Sequence, residues 1–482
     1  MSRSGTATSS DFGRRLIDAC ARFADRTALI DARESLCFRD LAAAAGELAT
    51  GTKLKHLNAG EPVLLAVGGH ARDIAGFLGI WKAGGVVVPV HRAVTVATVR
   101  DLIRRTGARY CVDLSKEPLA VFGLAGTPPV LETGHQSPPA DPMLKGAAFV
   151  IFTSGSTGEP KGVVHGHDTW SAKLEMIDGE IGSSRKERTI LVLQPNFIFG
   201  QWVAFLTLMR GGTLIVRDRF DVATVLVDLA DGTTRIAVVP TMLRRLKAEI
   251  GDGAAPSFAG TILSGGEPLP VDVVAWLKST WPKARLWDLY GATETCSCDF
   301  FVRPDEWPQA AGTIGNPGPG IDFRIEPGTG ELQIRSPFVM RGYHRDPARS
   351  RGAFADGYFR TGDIARRRSD GRVELIGRMT DIVNRGGIKI APLEIERVFM
   401  EHPDIVAALA AGVPDSVRGE AVHVFVVPRA GGGLDAETLI AWAKGKLDRS
   451  KVPDQIHFGD ELPIGRTGKA DRGALRSLIL AR

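Results

Sequence analysis

Thr153-Ser154-Gly155-Ser156-Thr157-Gly158-Glu159-Pro160-Lys161-Gly162 follows the apolar run Ala147-Ala148-Phe149-Val150-Ile151-Phe152, and this junction decides the reading of the fold. The run reads as a buried strand. The ten residues after it hold three glycines, four hydroxyls and one lysine. Glycines let a loop turn its N–H groups inward, hydroxyls donate to phosphate oxygens, and a lysine adds positive charge. A polyphosphate suits such a loop. The pattern is not the P-loop, in which Lys and then Ser or Thr directly follow the last glycine. Here Lys161 stands three residues beyond Gly158.

A chain of 482 residues exceeds one ordinary core and predicts at least two domains. With 44% hydrophobic and 24% charged residues it has a globular composition. The net charge of +5 is spread over interspersed acids and bases, and runs such as Arg366-Arg367-Arg368 are short. This gives no footprint for a nucleic acid. Five cysteines, an odd and small number, suit a reducing cytoplasm. Cys296-Ser297-Cys298 lacks a second Cys/His pair at metal-binding spacing. Met1 to Ser10 is small and polar, so no signal peptide is expected. The most apolar window, Val63 to Val90, is interrupted by His70, Arg72, Asp73 and Lys82, and no membrane span is expected.

The rhythm of the chain is α/β. A helix within residues 11–31 leads to a strand at Ala28-Leu29-Ile30. Val63–Val67 reads as a strand. The next helix places Ile74, Phe77, Leu78 and Trp81 on one face and stops at Gly84-Gly85. Val86-Val87-Val88, a helix with Leu102 and Ile103, and Tyr110-Cys111-Val112 follow. Gly123 to Pro142 reads as a connector. Strands are then expected at 147–152, 189–193, 213–217, 235–239, 260–264 and 285–289, with helices near 168–176, 221–230, 241–249 and 271–280. Such alternation predicts parallel sheet. From Gly312 to Gly377 short strands and turns predict a small β-barrel or sheet. Beyond Asp381, a helix at Pro392–Met400, strands at 404–411 and 421–427 and a helix at 435–447 predict a small α+β domain. The boundary is placed near Thr380, giving domains 1–379 and 380–482.

Two further loops follow predicted strands: Ser264-Gly265-Gly266-Glu267, and Tyr290-Gly291-Ala292-Thr293-Glu294-Thr295 after Asp288-Leu289. Ligands of parallel sheets collect at the carboxyl ends of strands, so the three loops are expected to share one crevice. Gly265-Gly266 lets a flat base approach, Tyr290 can stack on it, and Thr293 can reach a phosphate. Glu294 is a candidate Mg2+ ligand, because that ion takes one or two carboxylates plus substrate phosphate oxygens. Asp363, in Arg360-Thr361-Gly362-Asp363, can accept from ribose hydroxyls.

The order of these motifs, continued by Gly377-Arg378, Asn384-Arg385-Gly386-Gly387 and Gly468-Lys469, resembles the acyl-adenylate-forming superfamily: acyl- and aryl-CoA synthetases, peptide-synthetase adenylation domains and luciferases. The resemblance runs from about residue 11 to the C-terminus. It implies that Thr153, Ser154, Gly155, Ser156, Thr157, Gly158 and Lys161 hold the β- and γ-phosphates of ATP. It further implies that Gly265, Gly266, Glu267, Asp288, Leu289, Tyr290 and Gly291 line the adenine and acyl sites. By the same resemblance Thr293 contacts the α-phosphate, Glu294 binds Mg2+, Asp363 and Arg378 hold the ribose, and Lys469 is the catalytic lysine.

The same likeness implies a second step in which the small domain rotates about a hinge. That position is Thr380, where Asp or Lys is usual. Arg385, Gly386, Gly387 and Lys389 would then line a thiol tunnel for the pantetheine of CoA. Many members carry a His after the strand ending near Leu193. The segment here reads Gln194-Pro195-Asn196-Phe197-Ile198-Phe199-Gly200-Gln201-Trp202, like members that activate aromatic acids. Phe197, Phe199 and Trp202 are the expected flat wall of an acyl pocket, with Asn196 as its polar contact. No Asp follows in the manner of amino-acid-adenylating domains. The expected activity is an ATP-dependent ligation of an aryl or small hydrophobic acid to CoA through acyl-AMP. Transfer to a carrier-protein pantetheine, an amine or another acceptor is the alternative.

Overall fold

The computed structural model describes residues 11–51, 53–115, 129–136, 138–153, 160–251, 253, 255–429, 433–463 and 470–481. Among these, the strands form four sheets of nine, seven, five and five strands. The parallel heart of the nine-stranded sheet runs Arg285–Tyr290, Thr261–Gly265, Arg235–Val238, Arg188–Leu191, Thr213–Val216 and Thr27–Ile30 in spatial order. The seven-stranded sheet carries Ala147–Thr153, Val86–His91, Pro62–Val67 and Tyr110–Val112 as its parallel part. The strands from Pro62 to Val90 are continuous apolar runs, as expected where a parallel sheet is covered on both faces.

The two large sheets face each other across helices Phe12–Arg22, Asp73–Lys82, His167–Ile181 and Ile198–Met209. One core takes Leu29, Leu191 and Leu263 from the first sheet and Val63, Leu65 and Phe149 from the second. Its centre is an aromatic cluster. Phe205 meets Phe12 at 5.4 Å and Phe77 at 5.3 Å, Trp81 meets Phe149 at 5.1 Å, and Phe149 meets Trp170 at 4.7 Å. The separations and mostly edge-on or tilted geometries are those that aromatic quadrupoles favour. Helices Val222–Ala230, Pro240–Ile250 and Val271–Thr280 cover the outer face of the nine-stranded sheet. Helix Val96–Thr106 covers that of the other.

The expected strands and helices of residues 147–289 are present within a few residues of their predicted bounds. Several elements depart from expectation. Ala147–Thr153 turns back on Lys161–Gly166 as an antiparallel partner, with Thr153 opposite Lys161. Val130–Glu132, inside the expected connector, is an edge strand on Tyr110–Val112. Ser35–Cys37 and helix Phe38–Thr50 were not expected, and Ile198–Met209, read as part of a loop, is a helix. The 312–377 region, expected as a small β-barrel or sheet, contributes the five-stranded sheet around Tyr358–Arg367, with an unexpected short helix at Pro347–Gly352.

Residues from Val383 onward form the last sheet, with two apolar cores to which no earlier described residue contributes. A 3-10 turn, Met379–Asp381, precedes them.

Phe205 is fully buried at the centre of the aromatic cluster. Phe205→Ala is expected to cost about 3–5 kcal/mol in denaturant unfolding. Val227→Ala, on an exposed side chain of helix Val222–Ala230, is expected to stay within about 0.5 kcal/mol. Equal losses from the two would show that the cluster does not carry the sheet-to-sheet packing.

Candidate active site

A long groove opens where the carboxyl ends of the strands meet the residues after Met379. Its wall includes Thr153 and Pro160 from the seven-stranded sheet, and Gly266, Glu267 and Tyr290 from the nine-stranded one. Thr153 and Pro160, which flank the first expected loop, thus share one groove with the other two loops, though the loops come from two sheets. Ser154, Gly155, Ser156, Thr157 and Gly158, and Lys469, lie outside the described residues.

The site is built outward from the end of strand Arg285–Tyr290. The Tyr290 hydroxyl donates to Asp363 Oδ2 at 2.7 Å, and Arg378 Nε donates to Asp363 Oδ1 at 2.8 Å. Burial first, and then the Asp363 carboxylate, push the Tyr290 phenol well above its usual value, so it stays protonated and donating. Asp363 lies in the middle of strand Tyr358–Arg367. There the left-handed Gly362 (φ 72°) turns the backbone so that its N–H meets Glu331 Oε1 at 3.1 Å. Sequence reading placed Asp363 and Arg378 at the ribose, and the structure brings them together with Tyr290.

Thr293 opens a 3-10 turn, Thr293–Thr295. Its carbonyl lies 2.7 Å from Nε2 of the fully buried His165. Burial lowers the His165 pKa to about 4. The ring is therefore neutral, and because a carbonyl can only accept, its Nε2 carries the proton. Glu294 Oε1 accepts from the Tyr343 hydroxyl at 2.9 Å and lies 3.7 Å from Lys161 Nζ. His165 and Tyr343 had no motif to announce them. Tyr343 is placed by the two-residue strand Gly342–Tyr343, which pairs with Lys161–Gly166.

Asp288 is buried opposite Ser264 on the neighbouring strand. Burial raises its pKa to about 7, only partly offset by the polar groups of Ser264 and Leu289 nearby. Leu289 and Gly291 line the groove beside it. Glu267 Oε2 accepts from the N–H and hydroxyl of Thr241 at 3.0 and 2.7 Å, at the start of helix Pro240–Ile250. Its Oε1 accepts from the Ala470 N–H at 3.4 Å. The residue that follows Lys469 in the chain therefore faces the Gly266-Glu267 loop.

The expected acyl wall is partly corrected. Asn196 and Phe197 line the groove, and Asn196 Oδ1 is buried without a protein hydrogen-bond partner. Phe199 stacks on Trp202 at 5.5 Å and 17°. Trp202 is 1% exposed and belongs to the core between the sheets. Helix Ile198–Met209 explains this: positions 198, 202, 205 and 206 share one face, which is the packed one. Trp202 backs Phe199 rather than facing a ligand. Gly265 is small for a packing reason, since a β carbon there would lie 2.8 Å from the Leu289 carbonyl and 3.3 Å from the Phe199 ring.

The expected thiol-tunnel residues are not brought to the groove. Gly386 and Gly387 (φ 59° and 85°) form the two-residue turn of hairpin Val383–Arg385/Ile388–Ile390, a turn that needs left-handed backbone at both positions. Arg385 is held by Asp454 and by the carbonyls of Ser450 and Val452 at 2.9 and 2.8 Å, so its guanidinium is engaged within the C-terminal sheet. Lys389 is exposed. Thr380 is exposed in the 3-10 turn, and its hydroxyl donates to Asp381 Oδ1 at 3.2 Å.

Among the described residues no group of three or more His, Cys, Asp or Glu side chains could hold a metal ion. Cys296 and Cys298 are buried thiols, and burial raises the Cys298 pKa to about 12. Glu294 is thus a lone carboxylate beside the phosphate-loop strand. That suits Mg2+, which reaches a site chiefly through its nucleotide's phosphates. No helix among the described residues is long and apolar enough to cross a membrane.

Linkage gives a sign to the Asp288 shift. Between pH 3.8 and about 7 the unfolded chain loses this proton first, so the group subtracts from stability as pH rises and the full penalty stands above pH 7. Asp288→Asn is expected to gain stability relative to the parent across that window, reaching a few kcal/mol, on the order of 3, by pH 8. A difference independent of pH would show that the carboxyl is ionised in the fold throughout.

Comparison with known proteins accords with the geometry. The profile of the AMP-binding enzymes matches residues 16–344, and that of the AMP-binding enzyme C-terminal domain matches 394–469. A feruloyl-CoA synthase from Amycolatopsis sp is 28% identical over 93% of this chain and 95% of its own. A 2-succinylbenzoate–CoA ligase from Bacillus licheniformis is 33% identical over 69% of this chain and 70% of its own. The crystal structure of ATP-bound MatB from Rhodopseudomonas palustris superposes with a TM-score of 0.83 at 26% identity, covering 98% of this chain and 99% of that one. The chain belongs to the AMP-binding enzyme family and is an ATP-dependent, acid-activating ligase of it.

Proposed function

We propose that the enzyme joins an aryl or small hydrophobic carboxylic acid to CoA, in two steps through acyl-AMP. The observation that carries the site assignment is the triad Tyr290–Asp363–Arg378, at 2.7 and 2.8 Å, in the groove between the two sheets and the C-terminal segment. It leaves a paired carboxylate beside an aromatic ring, suited to ribose hydroxyls below a stacked base. Gly266, Asp288, Leu289 and Gly291 complete the nucleotide side. Thr153–Gly158 and Lys161 take the β- and γ-phosphates, and Thr293 takes the α-phosphate.

Glu294 is the residue that would hold Mg2+. When bound with the nucleotide, that ion neutralises phosphate charge. The chain's own residues do the rest. His165 fixes the Thr293 carbonyl, and Tyr343 fixes Glu294, so the donors are aimed before substrate arrives. The acid's carboxylate attacks the α-phosphate and pyrophosphate leaves. Two anions must meet in that step, and Lys469 is the cation that bridges them. In the second step the CoA thiol attacks the acyl carbonyl and AMP leaves. Covalent activation thereby divides one uphill condensation into two accessible ones.

Asn196, Phe197 and Phe199 form the acid site, Asn196 offering its one polar contact. Residues 1–379 and 380–482 act as two domains about Thr380. The second step needs the hairpin with Gly386 and Gly387 turned toward the groove, a rotation that would part Ala470 from Glu267. The named relatives ligate feruloyl and 2-succinylbenzoate groups to CoA, which supports an aryl acid and CoA as acceptor.

The test is acid-dependent pyrophosphate release from Mg·ATP across aryl, short-chain, fatty and amino acids, with and without CoA. Release with aryl or small hydrophobic acids, accelerated by CoA, is the expected result. A single-turnover burst that CoA does not relieve would transfer the assignment to another acceptor. Lys469→Ala is expected to bind ATP normally and to form acyl-AMP roughly 100- to 1,000-fold more slowly. Unchanged adenylation in that variant would remove Lys469 from the mechanism.

A further inference from the structure

The hydrogen bonds that hold Tyr290–Glu294 from behind converge on Asp299. Its N–H donates to the Tyr290 carbonyl at 2.7 Å, and its own carbonyl accepts from the Gly318 N–H at 2.9 Å. Its Oδ2 accepts from the Thr295 hydroxyl, which in turn accepts from the Ala292 N–H at 3.2 Å. Its Oδ1 accepts from Lys173 Nζ at 2.9 Å. Both charged side chains are buried, at 0% and 1% exposure. Lys173 arrives from a separate element, helix His167–Ile181, and its ammonium also lies 5.0 Å over the Phe338 ring.

Between Thr295 and Asp299 the chain passes through Cys296, Ser297 and Cys298 at φ of 62°, 66° and 43°. Three successive non-glycine residues stand in a left-handed region that L side chains avoid. Such backbone persists only where its surroundings over-determine it. The turn folds back beneath Gly291, where a β carbon would lie 2.4 Å from Cys298 N and 3.1 Å from Asp299 Oδ2. A buried ion pair is seldom retained for stability, since apolar replacements often serve as well. This one stands directly behind the two side chains assigned to the α-phosphate and the metal.

We propose that Lys173 and Asp299 are positioning residues for adenylation, acting through Thr295 and the 296–298 turn to fix Thr293 and Glu294. Neither touches substrate. The inference rests on the nucleotide-site reading of Tyr290–Glu294. Lys173 neutralises Asp299, Asp299 orients the Thr295 hydroxyl, and that hydroxyl holds Ala292, the residue before Thr293.

The experiment compares Lys173→Met/Asp299→Asn with Arg217→Met/Asp228→Asn. The second double variant removes another ion pair of low exposure (19% and 9%), one outside the nucleotide site. Folding is followed by thermal unfolding, AMP affinity by calorimetry, adenylation by ATP–pyrophosphate exchange, and metal response by ATP affinity with and without Mg2+. The folded Lys173/Asp299 variant is expected to exchange about tenfold or more slowly. It should also lose the strengthening of ATP binding by Mg2+ while holding AMP within about twofold of the parent. The control should keep kcat despite a lowered Tm, and Lys173→Arg should recover part of the loss.

Parent-like exchange and Mg2+ response in the folded Lys173/Asp299 variant would overturn the proposal, and so would a loss of AMP affinity as large as the loss of exchange. If the double variant does not fold, Thr295→Val, which removes only the connecting hydroxyl, decides by the same criteria. If the parent exchanges with no acid, the ligase reading fails on its own. The Mg2+ arm, which needs no acid, then still decides the role of the pair.

Discussion

The catalytic groove exists only because two separate sheets are held face to face. The Thr153–Lys161 hairpin end belongs to the seven-stranded sheet, and Gly266, Asp288 and Tyr290 belong to the nine-stranded one. At the groove His165 and Tyr343 of the seven-stranded sheet bond Thr293 and Glu294, just past a strand of the nine-stranded one, but the wider separation must be set in the core. That is done by Phe12, Phe77, Trp81, Phe149, Trp170 and Phe205, whose rings interlock between the sheets. Rigid rings with few rotamers make a spacer that transmits position rather than absorbing it. In the proposed reading a phosphate loop on one sheet and a base site on the other, with Asp363 and Arg378 of the five-stranded sheet beside it, would then grip one nucleotide from several sides.

What was legible in the sequence followed from local chemistry. Tyr290 ends a strand with Thr293 and Glu294 just past it, where parallel sheets collect ligands, and the Gly265-Gly266 pair stands at the end of the neighbouring strand. The hairpin was hidden, because a glycine-rich loop after a strand reads equally as the start of a helix, and only pairing partners distinguish the two. Helix Ile198–Met209 was hidden for a different reason. Ten of its twelve residues are buried, so it lacks the polar face by which helical periodicity is recognised. That error carried Trp202 into the acyl wall. Tyr343, His165 and Lys173 carried no local signal at all, since each matters only through a partner more than forty residues away.

The same distinction separates the charges. Lys173–Asp299 and Tyr343–Glu294 are buried contacts within the body that holds the nucleotide site. The contacts of Ala470 and Arg397 that tie the C-terminal segment to that body are polar and only partly buried. Ala470 reaches Glu267 through one 3.4 Å hydrogen bond. Arg397, on helix Pro392–Met400, pairs with Glu374 and donates to the Leu375 carbonyl at 2.8 Å. Among the described residues no apolar core is shared across Met379–Asp381.

This pattern is what the proposed rotation about Thr380 would require of its joint. A shared apolar core would add a large preference for one orientation, whereas a few partly solvated polar contacts can be exchanged for water. Glu374 also keeps a second cation, Arg366, at 2.9 Å. Its charge is therefore still paired when Arg397 departs, and the release strands no carboxylate. Glu267 likewise retains both hydrogen bonds from Thr241. Each group left behind on the large body is already satisfied, so the two orientations can lie within the few kcal/mol that substrates supply on binding. Thr380, a short neutral side chain in the exposed turn, adds neither a charge nor a buried contact that would tilt that balance.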